Sequence, residues 1–188
     1  MNHTKSIIID AFWQLLEQKP FSKITVKDIV DLCQLNRNTF YYHFHDIPEL
    51  LEFIVKRDAD SIIRTYHNFG SPMDCLTPLL ESCAGRRKAI LHIYRSVHRE
   101  SFLNELDRII YYGVTQYINT VTADLTLPAE DRELFIRFYK CTLTGIFLDW
   151  LNAGMEYDLS APFMRICCLF DDAGKQAFLK SAELMQKQ

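Results

Sequence analysis

Glycine and proline are scarce in this chain, at six each among 188 residues. An all-β fold turns often and uses many such breakers, so the scarcity argues against one. Long apolar runs are missing too. No stretch of about 18 apolar residues occurs, and nothing is expected to span a membrane. The N-terminal stretch MNHTKSIIIDAFWQLLEQ has Asp10 and Glu17 inside its apolar region and no small-residue cleavage site. It reads as an amphipathic helix, not a secretory signal, and the expected location is cytoplasmic.

Excess positive charge is also lacking. Net charge is −3. Over residues 1–47, Lys5, Lys19, Lys23, Lys27 and Arg37 are balanced by Asp10, Glu17, Asp28, Asp31 and Asp46. A protein that coats nucleic acid through a bulk field is excluded, whereas a specific reader can rest on local placement of cations and neutral donors. The cysteines at 33, 75, 83, 141, 167 and 168 match no zinc spacing and are expected as reduced core thiols. Cys167 and Cys168 are adjacent, so a helix turns them to different sides. There is no G-x-S-x-G, no phosphate-cradling glycine loop and no HExxH, and histidines 3, 43, 45, 67, 92 and 98 do not cluster. No enzyme, no cofactor and no metal site is expected.

What is present is helical periodicity. Hydrophobic residues make up 48% and aromatics 13%, enough for a substantial core. Ile8, Ala11, Phe12, Leu15 and Leu16 form one stripe of a helix over about Thr4–Gln18, ended by Lys19-Pro20. Thr25 is a natural N-cap with Asp28 three residues on, and Asn36 is another. Asp46-Ile47-Pro48-Glu49 starts a fourth helix that should reach about Asn68. Gly70-Ser71-Pro72 is the clearest break. Beyond it, helices are expected over 73–84, Arg86 to about His98, Ser101 to about Ala123, and Ala129 to about Ala153. A last one starts at Ser160-Ala161-Pro162 and breaks near Asp171-Asp172.

The most informative residues are 21–51, FSKITVKDIVDLCQLNRNTFYYHFHDIPELL. Ile24, Ile29, Val30, Cys33, Leu35, Phe40 and Phe44 fall at inward spacings, and Arg37, Asn38, Thr39, Tyr41, Tyr42 and His43 must point elsewhere. One face can dock on a small core while the other enters a DNA groove, as a helix-turn-helix requires. Arg37 has the geometry for a guanine edge and Asn38 for adenine. Tyrosine hydroxyls reach phosphates. Thr25 and Lys27 sit where a helix N-terminus approaches phosphate. Spacing alone leaves open a three-helix pattern that never touches DNA.

The T-x-x-D-I helix, the run Thr39-Phe40-Tyr41-Tyr42-His43-Phe44 and the Glu49-Leu50-Leu51 that follows resemble the DNA-binding motif of the tetracycline-repressor (TetR/AcrR) family over about 50 residues. The resemblance implies DNA contacts at Thr25, Lys27, Arg37, Asn38, Thr39, Tyr41, Tyr42 and His43. Three positions depart from it. Gln34 stands where the family usually has Gly, Asn38 stands at a common Gly, and Ile47 replaces a phosphate-binding lysine. A non-Gly residue forced left-handed costs about 1 kcal/mol.

The implied fold is all-α. A helix-turn-helix domain (1–46) leads through a connecting helix (47–70) to a helical effector-binding and dimerisation domain (71–188). In that last part Tyr94, Arg95, His98, Phe102, Tyr112, Phe138 and Tyr139 are the candidates for binding an effector. The family's last two helices pair with their mates, which implies an interface over about 130–153 and 161–186. Ile136, Leu143, Phe147 and Trp150 are its first candidates. The C-terminal part also resembles the regulators of dihydroxyacetone-kinase-like genes, whose second domain serves protein contacts. The expected protein is a homodimeric, sequence-specific regulator, a repressor by default, on a near-palindromic duplex operator. A small effector or partner protein would control it. Two other readings stay open: an interaction module that has lost DNA binding, and a small helical enzyme for which no catalytic pair is visible.

Overall fold

A computed structural model describes residues 3–65 and 69–185. Among the described residues there are nine α-helices and no strand. They are α1 (His3–Gln18), α2 (Val26–Cys33), α3 (Arg37–His43), α4 (Ile47–Thr65), α5 (Pro72–Ala84), α6 (Arg87–Tyr94), α7 (Arg99–Val121), α8 (Ala129–Asn152) and α9 (Ser160–Met185). A 3-10 turn over Phe21–Lys23 joins α1 to α2. The expected end of the fourth helix, at Asn68, lies outside the described residues. The break expected near 171–172 is absent, because α9 runs through it as one helix. Acidic residues inside a helix leave its backbone hydrogen-bond ladder intact.

The chain forms two compact units. One comprises Met1–Asp60 and Cys83–Glu105, the other Ser61–Ser82 and Leu106–Gln188. Residues 83–105, grouped by sequence with the C-terminal region, thus pack with the N-terminal helices. In the first unit Ile8, Phe12, Leu16, Ile29, Phe40, Leu50 and Ile54 are almost wholly buried. Each such side chain contributes about 1.5–3 kcal/mol of burial. Cys33 and Leu35, expected inside, are half-buried.

In the second unit Leu76, Ile110, Val114, Ile118, Leu143, Phe147 and Leu151 fill the interior. That corrects the interface expectation. Ile136, Leu143, Phe147 and Trp150 are at most 7% exposed within the single chain and cannot meet a partner. The side chains that α8 and α9 do present outward are others, among them Leu134, Phe138, Ile166 and Phe170, each 44–65% exposed. The cysteine expectation also needs correcting. Cys83 is buried, with its thiol pushed up to about 12 by burial, but Cys141 and Cys168 are exposed. Helical spacing identifies an apolar face without saying what covers it.

Candidate nucleic-acid interface

The reading head is built from caps. Thr25 precedes α2 in an extended conformation, and its Oγ1 accepts the Asp28 N–H at 3.2 Å. The Asp28 carboxylate accepts the Thr25 N–H at 2.7 Å and its hydroxyl at 2.6 Å, closing a capping box. Lys19 Nζ lies 2.8 Å from the same carboxylate. The Lys19 bond and then those from Thr25 lower the Asp28 carboxyl to about 2.

α2 ends on Gln34, whose φ of 56° and ψ of 36° are left-handed. The Leu35 N–H donates to the Val30 carbonyl at 2.9 Å and the Gln34 N–H to that of Asp31 at 3.3 Å. This is the Schellman pattern that glycine normally serves. At the end of α8 the same pattern recurs with Gly154 at φ 72°. Asn36 then caps α3, its Oδ1 accepting the Thr39 N–H at 2.8 Å and the Thr39 hydroxyl at 3.0 Å.

α3 therefore starts at Arg37, and Phe40 anchors it with no exposed surface. Arg37, Asn38, Tyr41 and Tyr42 all face solvent. Tyr42 is 84% exposed, an unusual state for so large a ring, and stands edge-on to the His43 ring at 5.0 Å. Thr39 and His43 are half-buried, while Thr25 and Lys27 are exposed at the head of α2. Lys27 and Arg37 make no ion pair among the described residues, whereas Lys19 is engaged by Asp28. The eight candidate contacts thus share one unit and two successive helices. The Thr25 and Thr39 hydroxyls also serve as caps. Past α3, Asp46 Oδ1 accepts the Glu49 N–H at 2.8 Å at the start of α4, which lowers the Asp46 carboxyl.

One cation escaped the sequence reading. Lys5 Nζ lies 4.7 Å from the Phe53 ring centroid and 5.3 Å from that of Phe44, within cation–π range. A lone lysine in an amphipathic first turn carries no local signal of this. The structural role of Asn36 was readable, since an Asn before a short helix is a standard cap.

The effector candidates do not converge. Tyr94 and Phe102 are buried, Arg95 is exposed and His98 half-buried, all in the first unit. In the second unit Tyr112 packs edge-on to Phe69 at 6.1 Å. Phe138 and Tyr139 instead line a hollow of about 1130 Å³ between α8, α9 and the start of α5. A Cβ on Gly174 would lie 2.7 Å from the Tyr139 hydroxyl, so glycine is what allows α9 this close. Among the described residues no cation lines the hollow. The Asp74 carboxylate at its edge already accepts the Gly70 and Ser71 N–H groups at 2.7 and 2.8 Å.

A helix-turn-helix with an outward polar and aromatic second helix, carried on an otherwise helical chain, defines a DNA-reading regulator. Residues 8–54 match the family described as bacterial regulatory proteins, tetR family, and residues 70–171 match a transcriptional regulator C-terminal region. The chain belongs to the TetR family of transcriptional regulators. It is 35% identical over 60 residues to the HTH-type dhaKLM operon transcriptional activator DhaS of Lactococcus lactis subsp. lactis. That alignment spans 32% of each protein, about a third of the relative's length. Among solved structures, a dihydroxyacetone kinase operon activator DhaS superposes with a TM-score of 0.72 at 19% identity, covering 95% of this chain and 99% of that one. Salmonella enterica GusR gives 0.61 at 16%, covering 87% and 93%. At such identities the structural likeness speaks for the fold.

Proposed function

We propose that this protein is a cytoplasmic, sequence-specific DNA-binding regulator that acts as a homodimer. The observation that carries the reading is the split on α3, where Phe40 is fully buried while Arg37, Asn38, Tyr41 and Tyr42 project into solvent. A major groove admits one such helix, and its early residues reach base edges. Thr25 and Lys27 at the start of α2 supply phosphate contacts, with Thr39 and His43 at the flank of α3. Ile47, where the family's lysine would add one more, leaves the salt dependence shallower.

Two copies place two such helices in grooves about 34 Å apart, so the operator is a near-palindrome. The outward apolar residues of α8 and α9 are the surface we assign to the partner copy. An effector or partner protein acts through the second unit. The hollow beside Phe138 and Tyr139 opens on this same surface, so a partner copy seated on Phe138 covers it.

Repression follows when the operator overlaps a promoter. Activation is a second reading, favoured by the relatives named as operon activators. A reporter driven from the selected site distinguishes the two. Selection of duplexes from a random pool tests DNA reading itself. The wild type is expected to enrich a palindromic sequence, and Tyr42→Ala to lose its retention while helicity and mass stay unchanged. Enrichment of no sequence, or full retention by the variant, overturns the reading.

A further inference from the structure

The last carbonyls of a helix have no donor inside it. At the end of α1 the Leu15 carbonyl is served by the Lys19 N–H at 2.9 Å. Leu16 comes next, and the residue four places on is Pro20, which has no N–H. Its carbonyl meets a side chain from far along the chain, with Nδ1 of His92 in α6 lying 2.7 Å away. A carbonyl only accepts, so Nδ1 is the protonated nitrogen.

The favour is returned. Arg86 immediately precedes α6 and gives it no side-chain cap. The Ala89 N–H in its first turn donates to Glu17 Oε1 of α1 at 3.3 Å. A carboxylate there also suits the positive end of the helix. Two helices 72–76 residues apart in sequence thus close each other's ends. Around them the Arg86 guanidinium sits 4.5 Å over the Trp13 ring, and the His98 ring meets Phe21 at 4.7 Å. These two directed bonds add a defined register to the apolar packing of the helices.

We propose that His92 and Glu17 are positioning residues for DNA reading, making α6 a strut of the reading head. Glu17 is next to the last residue of α1, and Thr25 begins α2 after one 3-10 turn. Where α1 stops therefore sets where α2 starts, and with it the aim of α3. A shift of α6 is felt at the groove-facing residues through this short connection. The inference rests on the DNA-reading function proposed above.

The test uses the full-length chain. His92→Phe keeps a ring and removes the donor, whereas His92→Asn puts an amide N–H close to the place of Nδ1. Hydrogen exchange over residues 14–25 is read first, then anisotropy on the duplex the wild type selects, well below the unfolding temperature. For His92→Phe we expect about fivefold faster exchange and about fivefold weaker binding, the fold-change equivalent of roughly 1 kcal/mol. His92→Asn should stay within about twofold of wild type. Wild-type exchange in His92→Phe, or equal impairment in both variants, overturns the strut. Altered exchange with unaltered binding overturns its positioning role. If the wild type selects no duplex, the DNA reading falls, and exchange still judges the α1–α6 joint.

Discussion

Lys19 Nζ lies 2.8 Å from Oδ2 of Asp28, tying the end of α1 to the first turn of α2. Asp28 also holds both polar groups of Thr25, so one carboxylate organises the entry to the helix-turn-helix. Its folded pKa of about 2 lies below the ordinary 3.8.

A depressed carboxyl stabilises the fold above its unfolded pKa and ceases to as pH falls through its folded value. Urea midpoints of wild type and Asp28→Asn between pH 2 and 7 check this. The wild-type advantage should be full above about pH 4 and gone near pH 2. A difference that does not vary with pH would show that Asp28 acts without its charge.

Gln34 carries a left-handed backbone that Gly154 adopts freely at the end of α8. Gln34→Gly is expected to stabilise the protein by up to about 1 kcal/mol, raising the thermal midpoint by roughly 2–4 °C. Calorimetry measures it. A lowered midpoint would mean the glutamine side chain makes up for its strain.

Phe138 and Phe147 lie on one helix and should fail differently. Phe147 is fully buried, and Phe147→Ala should cost about 3–5 kcal/mol of stability. Phe138 is 64% exposed, and Phe138→Glu should leave the monomer folded while shifting sedimentation toward it. A Phe138→Glu chain that still sediments as a dimer removes α8 from the proposed interface.

Arg37 is exposed at the start of α3. Arg37→Ala should relax preference at one or two base pairs of the operator, by about 1–3 kcal/mol each, with other positions unchanged. Uniform weakening across all sequences would assign Arg37 to phosphate instead of a base.

The reading head was largely legible in the sequence because its signals are local. A cap and the residue it serves are three positions apart, as with Thr25 and Asp28 or Asn36 and Thr39, and residue type at that spacing states the bond. The left-handed Gln34 was legible by contrast with glycine. The second unit was not, for a physical reason. Phe147 and Phe138 are the same residue type two and a half turns apart, and only the neighbouring helices decide which is core. Effector candidates chosen for aromatic character scattered for the same reason. His92 carried no signal at all, since its partner is a carbonyl orphaned by a proline 72 positions earlier.

α3 is only two turns long, too short to persist alone in water. Its shape is borrowed from Phe40 behind it and Asn36 before it. The four side chains on its open side contribute almost nothing to folding. Mutation can therefore rewrite them without dismantling the scaffold, and descendants of this chain are free to acquire new target sites while keeping the same architecture.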